Sequence, residues 1–299
     1  MKQQIKSSLI LLLTATIWGV AFVAQSVGME YIGPFTFNAI RCVLGGLVLI
    51  PVILVLKKKK ETGAENQEKE DKKTLWAGGI ACGVILCIAS NLQQFGIMEA
   101  SVGKSGFFTA LYIVMIPVIG IFIGKHPGIK LWFCVALAVV GMYLLCMKDG
   151  SFTIERADIM LLLCALVFSF HILVVDYFSP KVDGVKMSCI QFFVCGVLSA
   201  VGMLFTETPD ISNIQAAWLP LLYAGLLSCG VGYTLQIVGQ KGINPVIASL
   251  IMSLESVISA LAGWVILGQV LSPKEILGCV LMFVAIIITQ IPIGNKKTD

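Results

Sequence analysis

Residues 105–124 read SGFFTALYIVMIPVIGIFIG, twenty positions without one charged side chain. A helix of about 20 apolar residues is the length that crosses the hydrocarbon core of a bilayer. Windows of the same kind recur at Ser7–Met29, Thr74–Met98, Leu131–Met147, Ile159–Val175, Met187–Thr206, Ile211–Gln240 and Ile276–Asn295. Two more, Tyr31–Leu56 and Gly242–Pro273, are each interrupted by a single charge, Arg41 and Glu255. The expectation is an all-α membrane protein of ten transmembrane helices. A β-barrel would show alternating segments of about ten residues, and these runs do not alternate. Composition agrees, because 13% of the 299 residues are charged where a soluble domain carries about 25%. The net charge of +4 comes from few groups, which excludes both a basic nucleic-acid-binding face and a disordered chain. Lys2 and Lys6 precede the first window as in a signal peptide. That window is too long for a signal-peptide core and no A-x-A-like site follows, so it is expected to remain as the first helix.

Lysine placement orients the bundle. With the N-terminus in the cytoplasm, the inside receives Lys2, Lys6, the seven lysines of residues 57–73, Lys125, Lys130, Lys181, Lys186, Lys241, Lys296 and Lys297, 16 in all. The outside receives four, Lys104, Lys148, Arg156 and Lys274. This asymmetry follows the positive-inside rule and puts both termini in the cytoplasm. The long loop Lys57–Lys73, KKKKETGAENQEKEDKK, carries no large apolar anchor and reads as a solvated cytoplasmic linker; a headgroup role for its leading lysines is the other reading.

Soluble-enzyme chemistry finds little purchase. The ten cysteines all fall inside the expected spans, without a CxxC, and the histidines number two, His126 and His171. Zinc needs clustered thiolates or imidazoles, so the thiols read as small packing residues and neither metal nor cofactor is expected. No GxSxG, HExxH or Walker A loop is present.

The chain aligns with itself. Shifted by 142 residues, Trp76 meets Trp218, Gly83 meets Gly225, Cys87 meets Cys229 and Gln94 meets Gln236. At 143, LYIVMIP (111–117) lies over LESVISA (254–260), placing Tyr112 on Glu255. At 144, Lys130 meets Lys274; at 150, TATIWGVAFV (14–23) lies over CALVFSFHIL (164–173) and Arg41 over Gln191. Five spans face five, in order, dividing the chain into 1–147 and 148–299. Because five is odd, the second half enters the membrane from the opposite side, and the two form inverted repeats, an arrangement suited to alternating access.

TIWGVAFV of the first span, Arg41, the glycine-rich third span, ASVGKSGFFTALYIVMIPVIGIFIGK and INPVIASLIMSLESVISALAGWVILGQ together resemble the ten-helix, EamA-like branch of the drug/metabolite transporter superfamily. The resemblance runs from about Leu9 to Ile291. It implies a secondary carrier of small metabolites, often an exporter, with a central cavity lined by spans three, four, eight and nine. Lys125 and Gln269 stand where the family often has an acidic residue, so no gating ion pair is expected there.

Polar groups at membrane depth are expensive and usually face a cavity or a partner. The third span offers Asn91 and Gln94, the eighth Tyr233 and Gln236, the fourth Tyr112 just before Pro117, and the ninth Ser249, Ser253, Glu255, Ser256 and Ser259. The candidate cavity set is Trp18, Asn91, Gln94, Tyr112, Tyr233, Gln236, Ser253, Glu255 and Ser256. Each also has a structural reading: serines bond their own backbone, glutamines glue helices, and Trp18 and Trp264 pack or lie at interfaces. His171 reads as a packing residue inside the bundle, or as a proton carrier. Gly78, Gly79, Gly83, Gly225, Gly230 and Gly232 allow either close helix approach or hinging.

The intramembrane charges Arg41 and Glu255 lie about 10 Å and about 15 Å from the starts of their helices, on opposite sides, at about 1.5 Å per residue. Either they pair permanently, or Arg41 reaches outward while Glu255 stays protonated, or Glu255 faces the cavity and its protonation or its contact with a cationic substrate group sets the inward–outward equilibrium. The function expected is secondary active transport of a small organic metabolite, such as an amino acid or related solute, across the cytoplasmic membrane. The partners are that substrate, the lipid bilayer and a coupling proton, with no nucleic acid. The alternatives are a non-transporting membrane partner or sensor, and an intramembrane lipid-modifying enzyme, which lacks a recognisable catalytic set. Topology is checked directly: single cysteines placed in the 57–73 loop and in the Thr206–Ile214 loop of a Cys-free variant should label oppositely with an impermeant maleimide on intact cells. Labelling of both from outside overturns the ten-span arrangement.

Overall fold

The computed structural model describes residues 2–62, 71–100, 102–124, 127–146, 155–267 and 272–291, and among these every regular element is helical. The long helices are α1 (Lys2–Met29), α2 (Pro34–Thr62), α3 (Lys72–Glu99), α4 (Val102–Phe122), α5 (Ile129–Cys146), α6 (Arg156–Phe178), α7 (Gly184–Thr206), α8 (Trp218–Gln240), α9 (Pro245–Ile266) and α10 (Pro273–Gln290). Eight of them, α1–α4 and α6–α9, contain stretches long and apolar enough to cross a membrane; the apolar part of α5, Ile129–Leu144, is shorter, and α10 packs along it. The chain is a multi-pass membrane protein. Lys125, Lys148, Gln269 and the centre of the charged 57–73 loop lie outside the described residues.

Two boundaries differ from expectation. Helix α2 does not stop at Leu56 but runs on through the lysines to Thr62, since lysine is a good helix former once the chain has left the apolar layer. The window Ile211–Gln240 is not one helix: Ile211–Ala216 forms a separate short helix that turns at Ala217. Asp210 starts it, accepting from both the amide and the hydroxyl of Ser212 at 2.6 and 2.5 Å, and these bonds hold its carboxyl below the usual carboxylate range.

Helix packing maps onto itself when the halves are exchanged. The α2–α7 and α5–α10 pairs each map to themselves, α3–α6 maps to α8–α1, α3–α7 to α8–α2, and α4–α6 to α9–α1, and every one of these pairs is in contact. Two glycines show the exchange at atomic scale. A methyl group on Gly83 of α3 would lie 2.6 Å from Val194 Cβ and 2.8 Å from the Gln191 carbonyl oxygen of α7. One on Gly225 of α8 would lie 2.7 Å from Leu44 Cβ and 3.2 Å from the Arg41 carbonyl oxygen of α2. Gly225 is the repeat partner of Gly83, Leu44 of Val194 and Arg41 of Gln191. These two glycines let backbones meet; among the other candidates, Gly230 has no neighbour closer than 3.5 Å.

Cross-half contacts fix the ends. Glu207, just past α7, caps the start of α2, its two carboxylate oxygens accepting from the amides of Phe35 and Thr36 at 2.9 Å each. Lys104 of α4 lies 2.9 Å from Glu155 and 3.0 Å from Asp158 at the start of α6, and those two acids form the capping box of that helix. Helix α8 also departs from its partner in winding: Tyr223–Tyr233 is a π-helix, whereas α3 is regular throughout.

Gly83→Ala and Gly225→Ala should each cost about 1–3 kcal/mol, the usual range for overpacking. In a detergent melt both should lower the apparent Tm, and Gly103→Ala, where a methyl group meets nothing within 4 Å, should not.

Candidate functional site

Helices α4 and α9 are both broken near their middles, at matching places. Helix α4 turns at Leu111, where the Leu111 and Val114 amides bond carbonyls three residues back, at Phe108 and Leu111. Helix α9 turns at Ser253–Leu254, where the Leu254 and Ser256 amides do the same to Ile251 and Ser253. Leu111 and Leu254 are repeat partners. Pro117, further along α4, is not the common cause, because Ala260 holds its place in α9. In α9 the Leu250 carbonyl, left by the turn, accepts from the Ser253 hydroxyl at 2.8 Å, and within the helical parts on either side the Ser249 and Ser259 hydroxyls donate to the carbonyls of Val246 and Ser256 at 2.9 and 2.8 Å. Such back-bonding bends helices and satisfies groups for which lipid offers no partner.

The residue after each break faces the other. Tyr112 donates its hydroxyl to Glu255 Oε1 at 2.9 Å, so the repeat-related positions are joined across the interface of the halves. Both are buried, and both line a cavity enclosing about 440 Å³ of space not filled by protein atoms, its mouth included. Trp18, Phe22 and Gln25 of α1, Arg41 of α2, Gln93 of α3, Thr109 of α4, Phe168 and Ile172 of α6, and Ser228, Tyr233 and Gln236 of α8 complete the wall. Trp18 donates its indole N–H to the Ser228 carbonyl at 3.3 Å, inside the π-helix, and its ring lies 4.6 Å from that of Tyr233. Neither amide atom of the Gln236 side chain has a hydrogen-bond partner among the described residues, although the residue is 1% exposed.

Arg41 and Glu255 share this wall without pairing. The Arg41 Nη1 donates to Gln25 Oε1 at 2.8 Å, and the guanidinium carbon sits 5.6 Å from the centre of the Phe37 ring. No ion pair joins Arg41 to a carboxylate among the described residues, so the permanent Arg41–Glu255 pair weighed from sequence is replaced by two separate neutral partners, Gln25 and Tyr112.

Of the candidates read from sequence, Trp18, Arg41, Tyr112, Tyr233, Gln236 and Glu255 line the cavity. Asn91 sits elsewhere, accepting from Asn38 at 2.9 Å and donating to Ser199 at 3.0 Å and the Cys87 carbonyl at 2.7 Å. Gln94 approaches Met29 Sδ at 3.4 Å. Ser253 bonds its own helix, and Ser256 bonds the Gly106 carbonyl at 3.2 Å, where α9 meets α4. Trp264 is 51% exposed and is not among the residues that line the cavity. His171 is fully buried, 3.1 Å from Gln191 Oε1 and edge-on to Phe168 and Tyr233.

Gln25, Gln93 and Thr109 went unnoticed, although an amide or hydroxyl at membrane depth was the same signal that found the others. Asn91 and Gln94, polar residues of the third span at membrane depth, align with Tyr233 and Gln236 of the eighth. A π-turn takes in extra residues and rotates the side chains beyond it, so α8 presents Tyr233 and Gln236 to the cavity where α3 presents Gln93 instead. Among the described residues no group of three or more His, Cys, Asp and Glu side chains is arranged to hold a metal ion.

Comparison with known proteins adds the family. The EamA-like transporter family profile matches twice, over residues 5–147 and again over 155–291. An "uncharacterized transporter" of Archaeoglobus fulgidus is 27% identical over 282 residues, covering 94% of this chain and 84% of that protein. The uncharacterized transporter YwfM of Bacillus subtilis is 23% identical, covering 97% of this chain and 96% of its own. A solved crystal structure superposes with a TM-score of 0.75 at 17% identity over 95% of this chain and 96% of that one, a likeness of fold. With the profile matching both halves, the chain belongs to the EamA-like transporter family.

Proposed function

We propose that this transporter is a secondary carrier that exports a small organic metabolite from the cytoplasm by alternating access, with ten spans in two inverted halves and both termini in the cytoplasm. The observation that carries this reading is the Tyr112–Glu255 hydrogen bond, formed between repeat-related residues at the matching breaks of α4 and α9, on the wall of a polar and aromatic cavity. A broken span concentrates bending at one point, and two breaks that face each other across the halves are a place where the halves can part. Discontinuous helices around a midplane site are the recurrent device of carriers built from inverted repeats. Glu255 is the proposed titrating group, bonded by Tyr112 in this conformation and available to a coupling proton when the bond opens. The aromatic walls of Trp18, Phe22, Phe168 and Tyr233 suit a solute with an apolar body, and the amides of Gln25, Gln93 and Gln236 suit polar ends.

Purified protein in liposomes, challenged with a panel of amino acids, sugars, nucleosides and amphiphilic cations, should move at least one of them; movement of none would sink the proposal. For the solute so found, Glu255→Gln should reduce flux at least tenfold or flatten its pH dependence, since the amide keeps shape and hydrogen bonding but cannot ionise. Tyr112→Phe should have a smaller effect in the same direction. Normal flux with an unchanged pH profile in a well-expressed Glu255→Gln would remove Glu255 from the mechanism.

A further inference from the structure

We infer that Arg41 is the docking point for an anionic group of the transported solute, so that the substrate is an organic carboxylate. The inference rests on the carrier reading and names what the cavity selects.

A guanidinium stays charged at every physiological pH, so burial cannot be relieved by loss of its proton. Buried charges in folded proteins are paired. Arg41 is 2% exposed, yet its described contacts are all neutral: a Gln25 amide oxygen at 2.8 Å and the Phe37 ring. Its Nε–H has no partner. The one carboxylate on the same wall, Glu255, is engaged by Tyr112. The cavity thus presents a cation with donor capacity in hand, and on the same wall Gln236, whose amide lacks partners on both atoms.

The duplication supplies an internal control. Arg41 and Gln191 are repeat partners, and the backbone carbonyl of each lies beneath the equivalent glycine, Gly225 and Gly83. The second half builds this helix crossing with a neutral amide. Packing at this position therefore does not call for a cation. What differs is the surroundings: Gln191 turns to His171 at 3.1 Å, while Arg41 lines the cavity. The charge is thus surplus to the architecture and is placed where a solute would meet it. A carboxylate matches the planar fork of a guanidinium, and the aromatic residues around it would take the remainder of the molecule.

The test uses the purified full-length protein in lipid nanodiscs at pH 7.5. Thermal shifts are recorded with propionate, 4-methylpentanoate, phenylacetate and indole-3-acetate, each paired with its neutral amide, and with chloride. Because a ligand of the folded state raises apparent Tm by mass action, at least one carboxylate should raise it saturably, with its amide at least tenfold weaker. Arg41→Gln, which installs the residue its repeat partner already carries, should remove that preference. Equal shifts from acid and amide would overturn the inference and leave the carrier reading intact. So would the absence of any carboxylate shift in protein whose liposomes carry a neutral or cationic solute. A shift with chloride as large as with the organic acids would reduce the site to an inorganic-anion site and overturn the inference too. Should Arg41→Gln fail to fold, the acid–amide comparison on the unmodified protein decides alone.

Discussion

Hydrocarbon offers a backbone amide or carbonyl nothing to bond, and the irregularities of this bundle take their form from that constraint. A span can break only where the freed groups find partners inside the protein. In α9 the Ser253 hydroxyl provides one, reaching back three residues to the Leu250 carbonyl. In α8 the widened π-turns hold a carbonyl, that of Ser228, where an indole N–H from α1 can reach it. Both irregularities border the cavity. Irregular backbone thus occurs beside the space a solute would occupy, where the protein provides its own substitute for water.

The second organising fact is duplication. Exchange of the halves carries the described helix pairs into one another, down to the carbonyls beneath Gly83 and Gly225. At Gly83 and Gly225 the scaffold position is kept between the halves, glycine for glycine. Several cavity positions have diverged, although Gln236 keeps the amide of its partner Gln94. Tyr112 and Glu255 occupy one repeat position with different chemistry, as do Arg41 and Gln191, and Tyr233 and Asn91. A duplicated gene product that kept both copies identical would have a twofold-symmetric cavity, whereas a solute with two different ends needs one that is not.

How much of this was legible in the residues follows from what sets each feature. Apolar runs depend on the solvent alone, so the helices and their order could be read without knowing any contact. The self-alignment, too, needs only the chain, and it sets Leu111 against Leu254, where α4 and α9 turn, and Arg41 against Gln191, whose carbonyls lie near Gly225 and Gly83. Which face of a helix meets the cavity depends on winding, and the π-segment of α8 leaves no mark in composition that distinguishes it from α3. That is why Tyr233 and Gln236 line the cavity while Asn91 and Gln94, equivalent by alignment, do not. The partner of Arg41 was likewise out of reach: distance along two helices put Glu255 within range, but the choice between a carboxylate and Gln25 is made by side-chain direction, which depth does not fix.

The strap formed by Lys104, Glu155 and Asp158 breaks the equality of the two ends. At the corresponding places in the exchange stand Ile247, Ile5 and Ser8, none of them charged. Where α4 meets α6 the halves are fastened by ions; where α9 meets α1 the same positions have no charge to offer. Ionic fastenings near water weaken as salt shortens the Debye length, about 8 Å at 0.15 M, whereas uncharged contacts do not follow salt in that way. The two repeat-related crossings therefore answer differently to ionic strength: the exposed Glu155 arm of the α4–α6 fastening weakens with added salt, while the α9–α1 crossing has no ion pair at these positions to lose.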